Sequence, residues 1–361
     1  MKTIFAILGC GWRSEFYMRI ARMMPDRFEI CGAVSRTKDT RDAIEKEWGI
    51  KTYASMDLLL RKHKPDFIVV AVNKDHAHSV IAEISQIGIP LLAETPPAND
   101  LQSLITLNKA IHNNKTRIQI AEQYYFQPAH ASRITLAQSG IIGTINHVQV
   151  SIGHGYHGIS LIRKILGISY DNAIISAVKH FVPVIDGPSR NGWPQKEHVV
   201  NKEQIVASLE FCDKTALFDF EKDQHRSPVR SSRILIRGER GEICNDTVRY
   251  MKEYPWTLTF DITRNNAGEN ENPQGHYLIG ITAGEKYLYV NKFAPACMSD
   301  DEIAVASVLE KMAHYVRSDV SFYSLAEASQ DCYLAIMIEK AIQEKRQIGT
   351  EHQIWAKETI F

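Results

Sequence analysis

The sequence predicts an α/β protein in two parts. Residues 1–122 read as a doubly wound parallel sheet, and residues 123–361 as an α+β unit with a large open, mostly antiparallel sheet. Three observations carry this. Strand and helix signals alternate regularly up to Ala121, which is the pattern of β-α-β units. A glycine pair, Gly9 and Gly11, follows the first apolar run directly. After Ala121 the pattern changes to runs whose apolar residues alternate from face to face, as in half-buried strands.

The elements follow in order. Thr3–Leu8 is a buried strand, and Ser14–Met24 is a helix closed by Pro25. Phe28–Val34 is a strand and Thr40–Trp48 a helix ended by Gly49. A short helix, Asp57–His63, precedes Pro65, and Phe67–Val72 is an uninterrupted apolar strand of the kind parallel sheets bury. His78–Gln86 is a helix stopped by Gly88, Pro90–Ala93 a strand, Asp100–Asn113 a helix and Arg117–Ala121 a strand. In the second part Pro128–Ser139 and Gly158–Leu166 are helices that flank the strand Ile145–Ile152. From Ile174 strands dominate, with a hairpin expected at Ile205–Phe211 and Ala216–Phe220, and Asn265–Gln274 reads as a solvated loop. Helices at Asp301–Val316 and beyond Ser324 close the chain, the second opened by the capping-box pair Ser324 and Glu327.

Composition narrows the functional classes. Lys plus Arg and Asp plus Glu both number 42, which gives no general support for nucleic-acid or anionic-membrane binding. No apolar run approaches the ~18 residues a membrane span needs. The short apolar start runs straight into the glycine turn and reads as a strand, so a cytoplasmic protein is expected. The six cysteines include no C-x-x-C pair, so neither a disulfide framework nor a structural zinc site is expected.

The turn ILGCGWRS places Gly9 and Gly11 between a strand and a helix. In that context the first glycine permits the tight turn and the second lets the backbone approach a pyrophosphate at the helix N-terminus. Ser14 stands where a third glycine is usual, and Trp12 and Arg13 join the candidate cofactor contacts. The second strand ends in Val34-Ser35-Arg36, with no acidic residue to hold a ribose 2′-hydroxyl. A hydroxyl and a guanidinium suit a 2′-phosphate, so NADP is favoured over NAD.

Three segments resemble the Gfo/Idh/MocA (glucose-fructose oxidoreductase / inositol dehydrogenase) family. They are VVAVNKDHAHSVIAEISQIGIPLLAETPPA, with Asn73, His78, Glu94, Thr95 and Pro96, then YYFQPAHASRITLAQSGIIGTINHVQVSI, then HGYHGISLIRKILGI with His157. The resemblance implies a nicotinamide cofactor, cofactor contacts at Asn73, His78, Glu94 and Pro96, and His157 as catalytic acid/base. It also implies a carbohydrate-like substrate and a homodimer or homotetramer built on the second sheet.

Two positions depart from the family pattern. Thr95 replaces the lysine of a Glu-Lys-Pro motif, and Gly153 stands where an aspartate is often found four residues before the histidine. A threonine hydroxyl orients a substrate but does not take its proton. His157 is therefore the expected acid/base, with Thr95, His154 and Tyr156 beside it on a strand-to-helix loop. Tyr124, Tyr125, Trp193, His225, Arg226 and Arg230 are further candidates to wall the cleft, and no metal is expected. The expected function is hydride transfer on a sugar, polyol or related compound. Redox-assisted glycoside cleavage with retained nicotinamide, or a non-catalytic cofactor-binding sensor, are the alternatives.

Overall fold

The computed structural model describes residues 2–268 and 275–356. The first part runs β1 (Thr3–Leu8), α1 (Ser14–Met23), β2 (Phe28–Val34), α2 (Lys38–Trp48), β3 (Thr52–Tyr53), α3 (Met56–Leu60), β4 (Phe67–Val70), α4 (Ala77–Ile84), β5 (Leu91–Ala93), α5 (Leu101–Asn114) and β6 (Ile118–Ile120). All neighbouring strands here are parallel, in the order β3-β2-β1-β4-β5-β6. The order reverses between β1 and β4, and ligands of open α/β sheets bind beyond the strand ends at such a point. Phe67, Ile68 and Val69 are wholly buried because helices cover both faces of a parallel sheet.

The second part contains α6 (Pro128–Gln138), β7 (Ile145–Ser151), α7 (Tyr156–Leu166), β8 (Ile174–Ile185), β9 (Val199–Phe211), β10 (Lys214–Glu221), β11 (Arg233–Gly238), β12 (Gly241–Cys244), β13 (Thr247–Glu253), β14 (Trp256–Ala267), β15 (Tyr277–Ala283) and β16 (Lys286–Val290). It closes with α8 (Asp300–Ser318), α9 (Leu325–Glu344) and β17 (Ile348–Gly349). These strands form one sheet, β16-β15-β14-β13-β12-β11-β7-β10-β9-β8-β17. It is antiparallel except for the β7–β10 pair.

The two parts are firmly joined. Arg13, Arg19 and Arg27, on and around α1, reach Asp301, Glu302 and Glu310 of α8. The stretch before α9 lies along the edge of β6. Ile120 N–H donates to the Tyr323 carbonyl at 2.9 Å, and the Gln119 side-chain carbonyl accepts from Phe322 N and Tyr323 N, both at 2.8 Å. Tyr323 and Leu325 are buried in the apolar cluster under the first sheet, so this stretch shields what would be an open edge.

Several sequence expectations are corrected. The helix expected from Gly158 begins at Tyr156, because Gly155, at φ +45°, turns the chain into it early. Tyr156 and His157 therefore occupy its first turn, and only His154 remains on the loop. α2 starts at Lys38 rather than Thr40 and α8 at Asp300, behind a Ser299–Glu302 capping box. The strands β3, β12, β13, β15 and β17 were not anticipated. Asn265–Ala267, expected in a loop, extends β14, where pairing with β15 outweighs the weak strand preference of asparagine. The rest of that loop, from residue 269 to residue 274, lies outside the described residues.

Candidate active site

One cleft of about 1990 Å³ runs across the switch point and into the second part. Its floor at one end is the glycine turn. Gly9 has φ +101°, and a Cβ there would lie 2.2 Å from the Ala71 carbonyl oxygen. Only glycine fits, and the bare backbone leaves room for a phosphate at the start of α1. Gly11, Trp12, Arg13, Ser35, Arg36, Asn73, Glu94, Thr95 and Pro96 all border the same cleft. His78 does not. It sits in the first turn of α4, where its charge is among those that lower the Asp100 carboxyl, behind the stronger effect of Ser103.

Arg13 does more than line the turn. Its Nε donates to Glu94 Oε1 at 2.9 Å and its Nη1 to Asp301 Oδ2 at 3.0 Å, while Nη2 is buried without a partner. Tyr17 donates to the same Glu94 oxygen at 2.5 Å. Glu94 is thereby fixed at the end of β5, and the orphaned Arg13 donor awaits an oxygen that the protein does not supply. The residues present suit a dinucleotide. They offer a glycine cradle, a helix N-terminus, an unpaired buried donor, and at the β2 end a hydroxyl and a guanidinium with no acid. Arg41 Nη1 donates to the carbonyls of Ser35 and Arg36, both at 2.8 Å, and holds that corner in shape.

At the centre stands His157, whose ring lies between Tyr124 and Tyr156, at centroid distances of 4.4 and 4.3 Å. His154 meets it edge-on at 5.0 Å. Thr95 and Tyr156 both border the cleft, and the Thr95-Pro96 bond is cis. His157 Nδ1 is 2.6 Å from Oε2 of Glu122, a residue that lies two positions beyond the end of β6 and is 1% exposed. The other Glu122 oxygen accepts from Tyr124 N–H at 2.9 Å. Burial raises the Glu122 carboxyl well above the usual carboxylate range, against the pull of that N–H. Burial also lowers the His157 imidazole, and the Arg13 charge adds to this. Both effects favour an uncharged pair that shares one proton, with Nε2 left toward the cleft.

The sequence did not single out Glu122 or Asp301. A carboxylate one step past an apolar strand, at the end where the cleft must lie, was the available signal for Glu122. Of the other candidates, Tyr124, His225 and Arg226 line the cleft. Tyr125 packs instead on Phe126 and Tyr323, Arg230 pairs with Glu221 at 3.0 Å, and Trp193 is 66% exposed away from the cleft. Its loop contributes Arg190, which stacks 3.7 Å over the Trp12 ring. Among the described residues no group of three or more His, Cys, Asp or Glu side chains is arranged to hold a metal, and no helix is long and apolar enough to cross a membrane.

The fold and cleft define a two-part α/β protein with a dinucleotide-binding sheet and an open-sheet partner over one shared site. Residues 4–122 match the model of the Gfo/Idh/MocA oxidoreductase family, NAD-binding Rossmann fold. No curated protein matches the chain.

Solved structures share the whole architecture. An oxidoreductase from Agrobacterium radiobacter, in complex with NAD+, L-tartaric acid and magnesium, is 16% identical at a TM-score of 0.68, over 96% of this chain and 98% of that one. A myo-inositol dehydrogenase from Corynebacterium glutamicum is 14% identical at 0.65, over 98% and 100%. An aldose-aldose oxidoreductase from Caulobacter crescentus, complexed with glycerol, is 16% identical at 0.65, over 97% and 100%.

Proposed function

We propose that this protein is an NAD(P)-dependent oxidoreductase acting on a CH–OH group of a sugar, polyol or related compound. Residues 1–122 serve as the cofactor domain, and residues 123–361 carry the substrate wall and the oligomer face. The observation that carries the reading is the buried Glu122–His157 pair at 2.6 Å, placed in the same cleft as the glycine turn. The bound nicotinamide would supply hydride exchange at the reacting carbon. Every other part of the chemistry falls to the chain.

His157 Nε2 takes the hydroxyl proton in oxidation or returns it in reduction, and Glu122 fixes the ring and sets its tautomer. Thr95, where the family pattern has lysine, borders the cleft and orients the substrate without exchanging protons. Tyr124 and Tyr156 flank the imidazole and exclude water from it. Gly9, Gly11, Ser35, Arg36, Asn73, Glu94 and Pro96 are the proposed cofactor contacts. Arg36 favours NADP because a guanidinium pairs with a 2′-phosphate. Exposed Val178, Phe181 and Val199 on β8 and β9 support the second sheet as a self-association face.

The test is a fluorescence titration of NADPH and NADH into wild type and Arg36→Ala. NADPH should bind more tightly than NADH, and the variant should lose about tenfold for NADPH alone. Turnover of sugars and polyols is then compared with His157→Ala, which should fall by ~10²–10⁴. Full turnover in that variant removes His157 from the mechanism.

A further inference from the structure

Past His157 the cleft continues between the two parts, and its walls there are basic. Lys74 comes from the loop after β4, His154 from the loop before α7, Arg190 from the loop after β8, and His225 with Arg226 from the turn after β10. Each is held on a fixed piece of backbone. Asn99 Nδ2 donates to the Lys74 carbonyl at 3.2 Å. Ser189 and Gly192 exchange backbone hydrogen bonds of 2.9 and 3.2 Å across the tip that presents Arg190. Gln224, itself buried, reaches the Ser151 carbonyl, the Ser151 hydroxyl and the Ser231 carbonyl at 2.9–3.1 Å, and so pins the turn that carries His225 and Arg226.

The charges at this end do not cancel. The carboxylate facing the cleft there is Asp223, which already lies 3.5 Å from Arg226 and 3.8 Å from Lys202. Lys202 is also 3.5 Å from Asp186, behind the cleft wall. Lys74 and Arg190 have no carboxylate partner among the described residues, and Arg190 stacks on the Trp12 ring beside the glycine turn. By contrast two other cleft guanidiniums are neutralised: Arg13 by Glu94 and Asp301, and Arg133 by Asp246 at 2.8 Å.

His154 joins this end to the reacting position. Burial, then His157, His225 and Lys74, hold its imidazole down to about 4, so it stays neutral and serves as a hydrogen-bonding wall rather than a further cation. Its ring centre is 5.0 Å from that of His157, a separation spanned within a single sugar-sized molecule.

We propose that the substrate carries an acid group, a carboxylate or a phosphate, which seats between Lys74 and Arg226 while its reacting CH–OH carbon faces His157. This rests on the oxidoreductase reading for the position of the reacting carbon. The acid end is specified independently, by cations on held backbone at an end of the cleft where Asp223 is the facing carboxylate. Binding there orients the substrate lengthwise, so the group at His157 is decided by its distance from the acid.

Calorimetry on the protein loaded with NADPH or NADH, whichever binds more tightly, tests this with three probes: gluconate, glucose 6-phosphate and the neutral polyol glucitol. At least one acid should bind about tenfold or more tightly than glucitol, and which acid does so separates carboxylate from phosphate. The double variant K74Q/R226Q should erase that difference and leave dinucleotide affinity unchanged. Equal binding of the three probes, or equal absence of binding, overturns the proposal. So does a double variant that loses dinucleotide affinity, since the cations would then serve the cofactor's phosphates. If the protein takes up no dinucleotide, it is the oxidoreductase reading that fails. The same three probes on the unloaded protein then still decide the acid site.

Discussion

His157 Nδ1 lies 2.6 Å from Glu122 Oε2, and neither residue is more than 5% exposed. The two come from opposite parts of the molecule, one at the exit of β6 and the other in the first turn of α7. A carboxylate against one ring nitrogen fixes which nitrogen faces the substrate. It also stabilises the imidazolium that forms when the other takes a proton.

Glu122→Gln should separate these roles. An amide N–H that donates to Nδ1 leaves Nε2 protonated, so the ring cannot accept the substrate's proton. Alcohol oxidation should drop by ~10²–10⁴ in kcat, with KM changed far less. Carbonyl reduction at the same pH should lose kcat/KM by the same factor, because one equilibrium constant ties the two directions together. Steady-state kinetics check this, and a variant that keeps full kcat would remove Glu122 from the proton transfer.

The pair also predicts opposite pH dependences. Burial raises the carboxyl and lowers the imidazole, so at neutral pH the pair keeps one proton between its members and Nε2–H can donate. Loss of that proton at higher pH leaves Glu122 ionised, Nδ1–H donating to it, and Nε2 free to accept. Oxidation should therefore rise, and reduction fall, as pH passes through the apparent pKa of the pair, which lies above the ordinary carboxylate range. Both limbs should vanish in Glu122→Gln. A rising limb that persists would assign the titration to another group.

A second buried pair predicts a stability effect. Arg163, on α7, donates to Asp331 Oδ1 at 2.5 Å and to the Glu327 and Ser169 carbonyls at 3.0 Å, and Tyr323 donates to the other Asp331 oxygen. Arg163→Met strands a buried carboxylate and should cost about 3–5 kcal/mol at pH 8 by denaturant unfolding. Burial already raises the Asp331 carboxyl, and the variant raises it further. A group whose folded pKa exceeds its unfolded one loses stability as pH rises between the two values. The deficit against wild type should accordingly be smaller at pH 5–6 than at pH 8.

Local signals account for what the sequence disclosed. Phe67–Val70 is a run with no polar interruption, and Gly9 stands where a strand must turn tightly, so the first sheet and its glycine turn were legible. β3 and β12, of two and four residues, carry too few side chains to show a period. The site's pairings lie further from any local pattern. Glu122 meets His157 across 35 positions, and Arg13 meets Glu94 across 81 and Asp301 across 288. Such pairs are set by topology, and a single chain of residues does not record which distant positions the two sheets bring together.

Gly153 shows why one group of the family pattern is absent. It has φ +69°, and a Cβ there would lie 3.0 Å from both His157 Cβ and Tyr124 Cε1. An aspartate would need a left-handed backbone, costing about 1–3 kcal/mol, and would press on the two residues that hold the imidazole against Glu122. The site therefore has one carboxylate for its histidine, supplied from just beyond β6, and no room for a second in this geometry. Gly153→Asp should lower kcat rather than raise it, and Gly153→Ala should reproduce most of the loss, because the Cβ alone makes the contact. If the aspartate variant gained activity while the alanine variant lost it, the loop must reshape to accept the acid. The family's arrangement would then be accessible to this chain, and Glu122 would not be its required replacement.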